Sequence, residues 1–158
     1  MERAGLLAEY QAGPGLVRSA LAGLTPEQRR ARPVPGRWSI RMVVLHLADA
    51  EMLYADRMKR VLAEHEPALS TAAPDEWASR LAYDHRDLKE ELALIELIRR
   101  QMSRILLSLQ PADFQRLGIH SARGPMTLEE ILRRATDHIP NHVRFIEEKR
   151  KAMGVASK

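Results

Sequence analysis

The sequence predicts an all-α protein whose long helices pack as a four-helix bundle. Three observations carry this. Apolar residues recur at three- and four-residue spacing through four long windows. No window sustains the alternation of apolar and polar residues, rich in β-branched side chains, that a half-buried strand requires. Helix-starting and helix-stopping residues stand between the windows, where the chain must turn.

The first helical region spans roughly residues 2 to 23, with Leu6, Leu7, Tyr10, Leu16, Val17 and Leu21 apolar. Gly13-Pro14-Gly15 is expected to kink or split it, because proline lacks the N–H that a helix interior uses. Thr25-Pro26-Glu27 starts a short helical turn through an N-cap and a first-turn proline, and Arg32-Pro33-Val34-Pro35-Gly36 ends it. Ser39 caps the second long helix, which runs to about Glu64 with Ile40, Val43, Val44, Leu47, Tyr54, Met58, Val61 and Leu62 in one stripe. A loop holding Pro67 and Pro74 follows. The third long helix is expected from about Asp84 to Gln110, on a face of Leu88, Leu92, Ile95, Ile98, Met102, Ile105, Leu106 and Leu109, closed by Pro111. After a connection containing Gly118, Gly124 and Pro125, Thr127-Leu128-Glu129-Glu130 reads as a capping box opening a last helix to about Met153. The whole of residues 1–158 reads as one domain, with residues 153–158 as a frayed tail.

Composition narrows the chemistry. The chain has no cysteine, which excludes disulfides, thiolate ligands, iron–sulfur clusters and a cysteine nucleophile; any tight metal site must use imidazole and carboxylate. The net charge of +4 comes from 25 Lys and Arg interspersed with 21 Asp and Glu, and aromatic residues make up only 4%, so nothing points to a nucleic-acid partner. No apolar run approaches the length of a membrane span, and a cytoplasmic location is expected.

The stripe of the last helix is the informative one. Leu128, Ile131, Leu132, Ala135, Ile139, Phe145 and Ile146 are interrupted by His138 and His142, at positions the period assigns to the core. Residues four apart share a helix face, so this pair can aim two nitrogens at one ion. Alone, such a pair is as well explained by two hydrogen-bonded core histidines. His46 changes the balance, since it falls near the buried stripe of the second helix and also faces inward. Three buried imidazoles each need a polar partner, and one divalent cation satisfies all three. Pro140, between the paired histidines, removes the backbone bond to Thr136 and is expected to kink the helix.

With these residues in place the chain resembles the DinB/YfiT-like superfamily of metal-dependent enzymes. The carriers are Trp38-Ser39-Ile40 leading to His46-Leu47-Ala48-Asp49-Ala50-Glu51, then Arg99, then His120 before Gly124-Pro125-Met126-Thr127-Leu128, and finally His138 and His142. The resemblance covers nearly the whole chain. It implies an up-down-down-up four-helix bundle in which His46, His138 and His142 ligate the metal and water completes the coordination. The superfamily includes bacillithiol and mycothiol S-transferases and a thiol-dependent isomerase, and its members commonly form dimers. The resemblance therefore implies Zn²⁺ or Ni²⁺ as cofactor and a homodimer as the assembly.

Four further residues are candidates for the pocket. Arg99 lies in the apolar stripe between Ile95 and Met102, placed either to bind a substrate carboxylate or to pair with an acid of the protein itself, and the pocket role is the expectation. Asp49 and Asn141 each follow a ligand by three residues, in reach of an imidazole N–H whose tautomer they would fix. His120 sits in the glycine- and proline-containing connection, near the bundle opening by resemblance, and is not expected to be a ligand. His65 and His85, among charges at helix edges, read as solvated, and Trp77 as core or rim packing. The expected function is metal-dependent transfer of a low-molecular-weight thiol to a small electrophilic substrate. A metal-dependent small-molecule hydrolase and a non-catalytic, stress-related metal-binding bundle are the alternatives.

Overall fold

A computed structural model describes residues 3–156. Four long helices form the bundle: α1 (Arg3–Leu21), α3 (Ile40–Ala63), α5 (Leu88–Leu107) and α6 (Leu128–Ala152). The short helices α2 (Pro26–Arg30) and α4 (Pro74–Arg80) lie in the connections. Around the ring, α1 packs on α6, α6 on α3, α3 on α5 and α5 on α1. Arg150 near the end of α6 meets Ala20 near the end of α1, so these two run parallel. Arg86, just before α5, pairs with Asp49 early in α3, and Lys59 later in α3 bonds Gln101 later in α5, so that pair is parallel too. The topology is up-down-down-up.

The caps read from sequence are made. Ser39 accepts from the Met42 N–H, and Thr25 and Thr127 each form a full capping box. Arg116 donates to the Val61 and Glu64 carbonyls, closing the end of α3. Helix α5 starts later than the spacing suggested, with Asp87 as its N-cap. The chain ahead of it turns through Ala82 at φ 52°. The connections also hold a three-stranded sheet that the sequence did not announce. Strand β1 (Ala68–Leu69) pairs parallel with β2 (Leu117–His120), which pairs antiparallel with β3 (Gly124–Thr127). Strands of two to four residues are too short to show alternation. Gly118 is required there, because a Cβ would fall 2.7 Å from Val61 and 2.8 Å from Leu69.

Helix α1 is not split at Gly13-Pro14. Proline at position 14 removes the donor for the Tyr10 carbonyl. Arg99 supplies another, with Nη1 donating to Tyr10 O at 2.7 Å. Gly13 makes room, since a Cβ there would collide with the guanidinium. The same Arg99 pairs with Glu51 at 2.6 Å and donates to the Ala135 carbonyl at 2.6 Å. Its side chain is 1% exposed and that of Glu51 is 0% exposed. This polar layer divides the core into two apolar clusters, one around Tyr10, Met58, Met102 and Leu132 and one around Val17, Ile40, Leu47, Ile95 and Ile146.

Helix α6 continues through Pro140 to Ala152. The expected frayed tail is corrected over its described part. Met153 and Val155 pack against the core, and Arg150 donates to the Ala156 carbonyl as well as to Ala20 and Ala22 at the end of α1. A cation at a helix C-terminus meets free carbonyls and the negative end of the dipole. Ser157, Lys158 and Glu2, the expected first residue of α1, lie outside the described residues. No helix among the described residues is long and apolar enough to cross a membrane.

Candidate metal centre

Helices α3 and α6 bring His46, His138 and His142 together, with one donor nitrogen from each lying within 4.8 Å of the others. The Nε2 atoms of His46 and His138 are 3.3 Å apart. Nδ1 of His142 lies 3.0 Å from the His138 carbonyl. A carbonyl only accepts, so Nδ1 of His142 carries the proton and its Nε2 keeps a bare lone pair. An aromatic ring stands against each imidazole: Trp38 at 5.2 Å from His46, Tyr54 at 5.5 Å from His138 and Phe145 at 5.4 Å from His142, each edge to face.

Burial in this setting disfavours the imidazolium. It lowers His46 to about 4, helped by His142 and opposed by Asp49 and Asp75. It lowers His138 to about 2, with His142, His46 and Arg99 adding to the effect. His142 is lowered as well, chiefly by burial, with the bond to the His138 carbonyl opposing. At neutral pH all three are uncharged ligands with no proton to displace. Three imidazole nitrogens converge with no charged or backbone partner among them, which is the donor set an imidazole-binding transition metal fits. The cluster can hold a metal ion.

Two of the expected orienting contacts are corrected. Asp49 does not touch an imidazole; its carboxylate accepts from the Tyr83 hydroxyl at 2.7 Å and from both Nη atoms of Arg86 at 3.0 and 2.8 Å. Arg86 also clamps Glu91, and the ion pairs hold its guanidinium charged. Asn141 is exposed, on the outer face of α6. The group that orients His142 is the backbone carbonyl of His138, four residues back, which no side-chain signal announces. Arg99 is corrected as well. It is locked in the polar layer by Glu51, Tyr10 O and Ala135 O and is not offered to a substrate beside the triad.

His46 and His138 open onto a cavity of about 530 Å³. His120, Asp49 and Trp77 line it. His120 is buried at the end of β2 and is not one of the clustered donors. Its Nδ1 accepts the Ala122 N–H at 3.2 Å, so Nε2 carries the proton. Burial, then the nearby Arg57, Arg123 and Arg134, lower its pKa. His65 and His85 are exposed, as read. The sequence reading missed Arg57, Arg123 and Arg134 in the cavity wall. Two were findable: Arg134 is one helical turn before His138, and Arg57 is eight residues, a little over two turns, after Asp49 on the same face of α3.

Residues 9–146 match the DinB superfamily. The chain belongs to that family. A Bacillus licheniformis relative is 32% identical over 149 residues, covering 94% of this chain and 85% of the relative. A Geobacillus thermodenitrificans relative is 34% identical over 142 residues, covering 89% and 80%. Both are provisionally named as metal-dependent hydrolases. The solved structure of YfiT from Bacillus subtilis is similar at a TM-score of 0.91 and 25% identity, over 99% of this chain and 91% of YfiT. It is described, on inference, as a metal-dependent hydrolase with an unusual four-helix bundle topology.

Proposed function

We propose that the protein is a zinc- or nickel-dependent enzyme that transfers a low-molecular-weight thiol to a small electrophilic substrate. The observation behind this reading is that the triad stands between two cavities. His46 and His138 line the one of about 530 Å³, while His142 lines a second of about 330 Å³ with Trp38, Phe145 and Lys149. Pro74 alone borders both. Two organic molecules can approach the donors from two sides, as transfer requires, whereas water needs no cavity of its own.

A bound divalent ion would lower the pKa of a thiol or water toward neutrality and polarise an electrophile. The chain's own residues prepare that chemistry. The half-buried imidazoles stay unprotonated, and the His138 carbonyl fixes the tautomer of His142. Trp38, Tyr54 and Phe145 stand edge to face against the rings and limit their rotation. Asp49, held by Tyr83 and Arg86, forms a wall of fixed charge that does not compete for the ion. All the donors come from one chain, so the homodimer implied by resemblance is not needed to complete the site.

The second reading, hydrolysis of a small molecule, is favoured by the provisional names of the relatives. Protein purified without an affinity tag decides between them. It is expected to contain close to one equivalent of zinc or nickel, to consume an electrophile only when bacillithiol or mycothiol is added, and to lose both properties in His142→Ala. Thiol-independent cleavage of an ester or amide would establish hydrolysis instead. Full metal content with neither activity would leave a binding protein.

A further inference from the structure

We infer that the larger cavity is an oxyanion-recognising pocket, in which Arg57, Arg123 and Arg134 bind a carboxylate or phosphoryl group of the substrate and so present its reactive part to the triad. The inference rests on the metal-site reading only for that last clause. Three guanidinium groups reach one cavity from three separate elements: Arg57 from α3, Arg123 from the turn between β2 and β3, and Arg134 from α6. Such convergence from sequence-distant positions differs from a run of solvated charge along one helix.

The cavity wall gives the cluster little acidic compensation. Among the described residues Asp49 is the only carboxylate in that wall, and Arg86 and Tyr83 already occupy it, while Asp56 acts on Arg57 from outside the wall. Arg57 donates to the neutral Ser70 carbonyl and lies 5.6 Å over the Tyr54 ring, which aims the guanidinium without cancelling its charge. Arg123 and Arg134 form no hydrogen bond or ion pair through their side chains among the described residues. Neighbouring Arg133, in contrast, is paired with Glu129. His120, neutral with its proton on Nε2, adds a donor to the same wall. A cavity of about 530 Å³ holds a small organic anion, and guanidinium forks match carboxylate and phosphate oxygens in pairs. A neutral substrate would leave these like charges facing one another.

The test titrates succinate, inorganic phosphate and the neutral succinamide into the metal-loaded protein by calorimetry at low salt. Succinate or phosphate is expected to bind and succinamide not to, with affinity falling as salt rises. The tighter of the two anions names the group, carboxylate or phosphoryl. Arg123→Gln and Arg134→Gln, both at exposed positions, should each weaken the anion about 10-fold, the loss expected for one charge-assisted contact. Arg123→Lys should fall between Arg123→Gln and the parent, and far-ultraviolet dichroism checks that each variant is folded. Equal binding of succinamide overturns the inference, as does affinity unchanged in both glutamine variants. Anion binding that vanishes in His142→Ala with all three arginines present also overturns it, because the ion alone would then hold the anion. The metal reading fails separately: a protein that takes up no metal yet binds anion in an arginine-dependent way keeps this inference and loses that one.

Discussion

Two polar regions lie inside this bundle, one reaching from Arg99 of α5 to α1, α3 and α6 and the other between α3 and α6, and they are built on different principles. In the layer around Arg99, donors meet acceptors: one guanidinium serves Glu51, the Tyr10 carbonyl and the Ala135 carbonyl, and opposite charges cancel. At the triad, His46, His138 and His142 bring like to like: the Nε2 atoms of His46 and His138 stand 3.3 Å apart, where they can share no more than one proton, and three imidazole nitrogens lie within 4.8 Å of one another. Burying polar groups costs free energy unless they are satisfied. The first region sets a charge against its counter-charge and serves the fold, even though Arg99 Nε, like His138 Nδ1, is buried without a partner. The second gathers three metal-binding nitrogens with no counter-charge among them, and that convergence is what marks it as a site.

Removing one member from each region separates the two roles. His138→Ala should bring metal content close to zero and abolish any metal-dependent turnover. Its free energy of unfolding should change by no more than about 1.5 kcal/mol, because the lost ring was itself costly to bury. Arg99→Met should do the reverse. It strands the Glu51 carboxylate in the core and reopens the Tyr10 carbonyl, so stability should fall by about 3–5 kcal/mol. The molecules that remain folded should still bind metal at full stoichiometry. Urea denaturation with metal analysis on the same samples reads both, and a metal-free but otherwise stable Arg99→Met would break the comparison.

Much of this was legible in the sequence, and the gaps have physical causes. The four long helices show because each apolar stripe runs for many turns, and Ser39 and Thr127 mark their starts with side chains that serve as caps. The triad showed because spacing of four forces His138 and His142 onto one face and His46 falls on a second inward face. Arg99 was misassigned because a guanidinium on an apolar stripe has two homes, and Glu51, 48 positions away, decides which. Gly13-Pro14 looked like a break until its partner was known: the proline frees a carbonyl and the glycine clears the space that Arg99 fills. Asp49 was given to the nearest histidine, whereas Tyr83 and Arg86, in a loop without periodicity, hold it. Arg123 reaches the cavity only through a hairpin of two four-residue strands.

Acid sharpens the same contrast. His46 at about 4 and His138 at about 2 are depressed below the unfolded value of about 6.5. Between those values the unfolded chain binds more protons at these two sites than the folded one, so they contribute stability to the metal-free protein that is fully present above about pH 6.5 and is lost as pH falls through that window. Each histidine contributes at most about 1.4 kcal/mol per pH unit. Urea midpoints of metal-free protein at pH 7 and pH 5 should therefore differ more for the parent than for His138→Ala. Equal pH dependence would mean that the His138 ring is solvated and is not held neutral by its surroundings.

The smallest effect is expected at the residue sequence spacing placed closest to the ligands. Asn141 lies between His138 and His142 in the chain, one residue from the second, and a role in fixing an imidazole tautomer follows naturally from that spacing. In the fold its side chain is exposed and makes no hydrogen bond to an imidazole, and the His138 carbonyl does the orienting. Asn141→Ala removes no cap, no buried bond and no packing, so its stability should stay within about 0.5 kcal/mol of the parent. Metal affinity should be equally unmoved. A tenfold loss of metal affinity in this variant would show that α6 turns its outer face toward the ion, and the assignment of the His138 carbonyl as the orienting group would fall with it.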